Sequence, residues 1–144
     1  MEIDERIWTF AQRRLGYTVE EMETFKADPR NADVFSKGFA LANKIIVAEV
    51  VESHGCNSQH RVGDKFYFDG AGNLLGEFCP KTMCVYAVSS LATLIFAAQE
   101  LFYAGVDPNE MRFKRVNCID VGLQCGGWGK VVLELGVQDR EATA

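Results

Sequence analysis

The chain has 144 residues, 48% of them hydrophobic and 24% charged, enough to bury a core without covalent staples and about the size of one domain. A net charge of −5, with Lys and Arg scattered along the chain, disfavours nucleic acid, whose phosphates need a basic face. The acidic start "MEIDER" lacks the basic and apolar regions of a signal peptide, so a cytoplasmic, reducing setting is expected, in which five cysteines read as thiols or metal ligands rather than disulfides.

The first 43 residues read as helical. Ile3, Ile7, Phe10, Ala11 and Leu15 recur at helical spacing, and Gly16 can supply a left-handed stop. In "TVEE", Thr18 stands three residues before Glu21, the reciprocal capping arrangement that opens a second short helix running to about Lys26. Asp28 and Pro29 repeat the start signal, and Val34, Phe35, Ala40 and Leu41 continue an apolar face.

From Lys44 the pattern changes. "KIIVAEVVES" is β-branched and continuous, which predicts a central strand. "DKFYFDGAGNLLGEF" reads as two strands around a turn at Asp69 to Asn73. In "CPKTMCVYAVSSLATLIFAAQELFYAG", Pro80 suits a first helical position and Gly105 a terminator, predicting one helix of about 24 residues with Cys79 as its N-cap. Its uncharged part, Met83 to Gln99, falls short of the roughly 20 apolar residues that span a bilayer, so a buried helix is expected and no membrane. "EMRFKRVNCID" and "KVVLELGV" close the chain as strands joined by "VGLQCGGWG".

The expected architecture is one α+β domain, 1–144: a helical segment to residue 43, an antiparallel or mixed sheet packed on one long buried helix over 44–138, and a tail at 139–144. Because Tyr86, Leu91, Leu94, Ile95 and Phe96 point in different directions, that helix must be covered all round: the sheet covers one face, and the N-terminal helices or a second subunit must cover the other, with partial burial in a homodimer favoured.

The chemistry-bearing residues cluster after the first predicted strand. "HGCNSQH" places both histidines, His54 and His60, beside Cys56. Cys79 and Cys118 fall at other element ends, where convergent ligands are usually presented. Cys56, His60, Cys79 and Cys118 make a soft Cys3His set suited to Zn2+ or Fe, and the first reading is a small metal-binding protein: structural if all four ligate, a metal-dependent enzyme on a small molecule if Cys118 leaves a position open. The bland alternative is that Cys79, Cys84 and Cys118 are ordinary buried thiols, with Cys84 in the core. At a helix N-cap, Cys79 would lie at the positive end of the macrodipole, which favours its thiolate. A metal-free hydrolase or lyase, with Cys79 as nucleophile and His60 as base, is therefore a second reading. Asp64 is either a carboxylate bonded to His60 or a turn former. "CGGWGK", Cys125 to Lys130, lacks the spacing of a phosphate-binding loop and reads as a flexible connection or as a ligand approach with Lys130 near an anion. A third reading is a small-molecule or partner-binding module, with Tyr67, Tyr86, Phe96 and Trp128 lining an apolar pocket.

The order Cys56-x3-His60-x2-Gly63-Asp64-x-Phe66, then Cys79-Pro80, then Cys118 resembles a family of small, functionally uncharacterised prokaryotic proteins. In that family a C-x-x-x-H-x-x-G-D-x-[FY] block precedes a C-P helix start and a late C-P. The likeness spans about Ile45 to Leu135 and departs at Asn117-Cys118-Ile119, which lacks the proline. It implies that these four residues act together and supplies no reaction. "MRFKRVNCIDVGLQC" is also faintly similar to the C-terminal part of 2-aminothiazoline-carboxylate hydrolases, which likewise end in a strand, a glycine turn and a cysteine.

Overall fold

A computed structural model describes residues 2–140; of the expected tail, 141–144 lie outside the described residues. The chain forms two compact units, Met1–Ala40 and Leu41–Ala144.

The first unit contains α1 (Glu5–Leu15), α2 (Val19–Ala27) and most of α3 (Pro29–Ala42). Asp4 opens α1 by accepting from the Arg6 amide, and Gly16 closes it in the left-handed region at φ 71°. The capping box of α2 is present in both directions: Glu21 N–H donates to the Thr18 hydroxyl at 3.2 Å, and Thr18 N–H to the Glu21 carboxylate at 2.7 Å. Asp28 caps α3 through the Arg30 amide at 2.9 Å. The buried residues of α1 are Trp8 and Ala11, whereas Phe10 and Leu15 of the expected apolar face are exposed. Trp8, Phe25 and Phe35 hold the unit together, with ring centroids 5.5–6.2 Å apart, two of the three pairs edge to face.

The second unit is the α+β layer. Strands β1 (Lys44–His54), β2 (Lys65–Asp69), β3 (Arg115–Asn117) and β4 (Lys130–Asp139) form one antiparallel sheet in the order β2-β1-β4-β3. The predicted central strand β1 pairs on both sides: Ile46 and Ala48 oppose Phe68 and Phe66 of β2, and Val137 and Leu135 of β4. A register shift between Val50 and Glu52 sets the far end of the β1–β4 ladder, where His54 faces Lys130. On one sheet face, Ile46, Ala48, Val50, Phe66, Phe68, Leu133 and Leu135 pack with Ala87, Leu91, Leu94, Ile95 and Ala98 of the helical layer.

Three expected elements are corrected. The second strand after β2 is reduced to a single bridge between Phe68 and Leu74. The Asp69 carboxylate takes both the backbone and side-chain N–H of Asn73, at 2.8 and 3.0 Å, and a 3-10 turn at Gly76–Phe78 follows, so the chain leaves the sheet edge. The helix expected from Pro80 starts five residues later, as α4 (Val85–Ser90), and continues as α5 (Ala92–Tyr103) after a break at Leu91. The break has a local cause. The Ser90 hydroxyl donates to the Ala87 carbonyl at 2.6 Å, and the Leu91 amide turns to Val88 O at 3.1 Å in the tighter 3-10 pattern. Finally, "EMRFKRVNCID" contributes only the short β3, preceded by a 3-10 turn at Pro108–Glu110.

The helical run Val85–Tyr103 has a mean hydropathy of 1.5 and is, by length and composition, long and apolar enough to cross a membrane. It is not buried all round: one side enters the core, and Val85, Tyr86 and Phe96 are exposed.

Candidate functional site

The block from Cys56 to Phe66 is one compact turn folded against the end of β1. Gln59 N–H closes on the Cys56 carbonyl at 3.0 Å, with Gln59 in the left-handed region at φ 60°, uncommon for a residue other than glycine. Val50 N–H donates to Asp64 O and Gly63 N–H to Val50 O, at 2.8 and 2.9 Å, which fixes the turn to the strand.

His60 lies at the centre of this turn. It is the buried polar residue among those described, 4% exposed, with its ring edge-on to Phe66 at a centroid distance of 5.2 Å. Its carbonyl accepts from the Ser53 hydroxyl at 2.5 Å. Its Nε2 accepts from the backbone N–H of Cys84 at 3.2 Å. A ring nitrogen that accepts carries no proton, so in the neutral ring the proton sits on Nδ1. Nδ1 faces Asp64 Oδ2 at 3.8 Å, and that oxygen also accepts from the Arg61 amide at 2.9 Å. The expected link between Asp64 and His60 is thus a loose one, and Asp64 also serves as a turn former.

Through His60 the turn positions Cys84, which is the N-cap of α4: Val88 N–H donates to the Cys84 carbonyl at 3.0 Å. Cys84 therefore occupies the role expected for Cys79. Its sulfur makes no regular side-chain cap bond. Burial raises the pKa of this thiol, but the nearby Ala87 amide, the Ser58 hydroxyl and the Tyr86 amide favour the anion and outweigh burial. The Cys84 thiol is consequently more acidic than an ordinary one.

Cys84 opens onto a cleft of about 540 Å3 that Cys56, Cys118, Tyr86, Ile119 and Trp128 also line, with Asn57, Ser58, Asp120 and Lys130 among its polar members. The glycine-rich connection before β4 forms one wall. Asp120 organises it by accepting from the amides of Gly122, Trp128 and Gly129 at 3.0, 2.9 and 2.9 Å. The Gly122 and Gly129 amides, and then Trp128, hold the Asp120 carboxyl below the usual carboxylate range against the opposing effect of burial. With both oxygens occupied, this carboxylate holds the wall together. Gly129 meets the turn after β1 backbone to backbone, and a Cβ there would fall 2.2 Å from Gly55 O. Such contact requires glycine. The expected flexible connection is thus tethered at defined points.

The expected site residues separate into two groups. Cys56 and Cys118 line the cleft, and His60 binds its central cysteine by the backbone. Cys79 is elsewhere: its sulfur accepts from Tyr67 N–H at 3.3 Å and faces Leu75 O at 3.3 Å, after the 3-10 turn. The pairing of a Cys79 nucleophile with a His60 base is therefore not formed, because each makes its hydrogen bonds to other groups. Among the described residues no group of three or more Cys, His, Asp or Glu is placed to hold a metal ion. His54 ends β1 and is exposed, as is Cys125. Of the aromatic set expected to line a pocket, Tyr86 and Trp128 do so. Tyr67 instead packs edge-on to Phe78, and Phe96 is exposed.

No family model, no curated protein and no solved structure matches this chain.

Proposed function

We propose that the protein is a cysteine-dependent enzyme whose nucleophile is Cys84, acting on a small, largely apolar electrophile in the cleft beside α4. The observation that carries this reading is the position of Cys84: a half-buried thiol at a helix start, favoured as thiolate by the Ala87 and Tyr86 amides and the Ser58 hydroxyl, facing a cleft with Tyr86 and Trp128 on its walls. A thiolate is the attacking form of cysteine, and groups that favour it raise the share of that form at a given pH. His60 is a positioning residue. It fixes the Cys84 amide, and so the direction in which the side chain leaves the backbone.

A metal reading would have to draw Cys56, Cys84 and Cys118 of the cleft together, because among the described residues no three such donors are placed around one ion; their thiolates would suit zinc or iron. One experiment separates the two. Site-resolved alkylation by iodoacetamide, followed by mass spectrometry from pH 5 to 9, is combined with elemental analysis of the same preparation. The nucleophile reading expects Cys84 to alkylate faster than the exposed Cys125 and to keep reacting at lower pH. Slower alkylation of Cys84 across the whole range would remove it. A stoichiometric metal lost in Cys84→Ser would reassign the cleft to ligation.

A further inference from the structure

The cleft holds more thiols than a lone nucleophile needs. Cys56, Cys84 and Cys118 all line it, and all are free. They are not equivalent. Cys56 begins the short turn that is fastened onto Cys84 twice, by the Ser58 hydroxyl at the sulfur and by His60 Nε2 at the amide, 3.2 Å away. Gln59 N–H closes that turn on Cys56 O at 3.0 Å, so Cys56 belongs to the same turn that His60 ties to the Cys84 amide. Cys118 is anchored differently: its amide donates to Val131 O at 3.0 Å, and its sulfur faces Asp120 O at 3.9 Å within its own loop.

Resting on Cys84 as nucleophile, we propose that Cys56 is its resolving thiol and that the substrate is an organic hydroperoxide with an apolar body, reduced to its alcohol. The cleft chemistry suits such a molecule. Tyr86, Ile119 and Trp128 offer apolar surface to its hydrocarbon part, while a peroxide carries no charge that would need a paired ion. The charged groups of the cleft are already engaged, Asp120 by three backbone amides and Lys130 by Glu52 at 3.5 Å, so neither calls for a charged ligand.

The steps balance. The Cys84 thiolate attacks the terminal oxygen of the hydroperoxide and the O–O bond breaks. The leaving alkoxide takes a proton to become the alcohol, and sulfur, having given two electrons, becomes a sulfenic acid. The Cys56 sulfur then attacks the Cys84 sulfur; the S–S bond forms as the S–O bond breaks, and the departing hydroxide takes the Cys56 proton and leaves as water. An external dithiol returns both cysteines to thiols and leaves as its own disulfide.

The test uses the reduced full-length protein and one equivalent of cumene hydroperoxide, read by intact mass and peptide mapping. The expected product has lost two hydrogens and carries a Cys56–Cys84 linkage. Cys118→Ser still forms it, and Cys56→Ser stops at a Cys84 sulfenic acid that dimedone traps. In the presence of dithiothreitol, Cys84→Ser loses hydroperoxide turnover. If Cys84 alkylates rapidly yet cumene hydroperoxide produces no linkage, or links Cys84 to Cys118, the resolving role is overturned while the nucleophile stands. Slow alkylation of Cys84 would overturn both. The wild-type measurement needs no variant to fold.

Discussion

Replacing His60 by alanine tests how the turn after β1 holds the cleft. Two contributions are lost. The Cys84 amide, half-buried and bonded to His60 Nε2 at 3.2 Å, is left without its acceptor, which costs about 1–3 kcal/mol where water does not replace it. The imidazole, 4% exposed and edge-on to Phe66, leaves a void that adds about 1–2 kcal/mol, less than for a larger aromatic ring. Together these amount to about 2–5 kcal/mol, and at about 3 °C per kcal/mol for a chain of this size Tm should fall by roughly 6–15 °C. Differential scanning calorimetry measures the loss. The same variant should also slow Cys84 alkylation, because the α4 start is no longer fixed. His60→Gln, which keeps an acceptor on a flexible side chain, should recover part of both. A His60→Ala protein melting within about 2 °C of the parent, with an unchanged Cys84 rate, would refute the claim that this histidine positions the cysteine.

Asp120→Asn should loosen the cleft wall, since one of the two oxygens that accept from Gly122, Trp128 and Gly129 becomes a donor; faster amide exchange at those residues reads the change. The Asp120 carboxyl is held below its ordinary value, so its contribution is complete above the usual carboxylate range and lost only as pH falls through the lowered value. A Trp128 fluorescence transition above about pH 5, absent from Asp120→Asn, would contradict this. Gly129→Ala should cost about 1–3 kcal/mol or more, because its Cβ would meet Gly55 O at 2.2 Å; thermal melting shows whether the β1–β4 end tolerates it. Leu91→Ala, at a fully buried site where α4 meets α5, should cost about 2–5 kcal/mol by urea denaturation. Thr18→Ala should cost about 1 kcal/mol of α2 stability, read as faster exchange of the Glu21 amide that it caps.

Sequence by itself determined the features that depend on neighbours close in the chain. Thr18 and Glu21 cap α2 because each satisfies a backbone N–H three residues away. Asp28 opens α3 by the same logic, and the β-branched run from Lys44 forms a strand, paired at both edges with β2 and β4. The tertiary structure decided where the helix after β2 begins, and with it which cysteine faces the cleft. Pro80 was equally compatible with a helix start, but the preceding residues are drawn toward β2: Cys79 sulfur bonds Tyr67 N–H, and the chain turns at Gly76–Phe78. Helix begins only after Cys84, whose amide is held by a histidine 24 residues earlier. A hydrogen bond of that span has no local sequence signature, because its partners meet only once β1, its turn and β2 have folded.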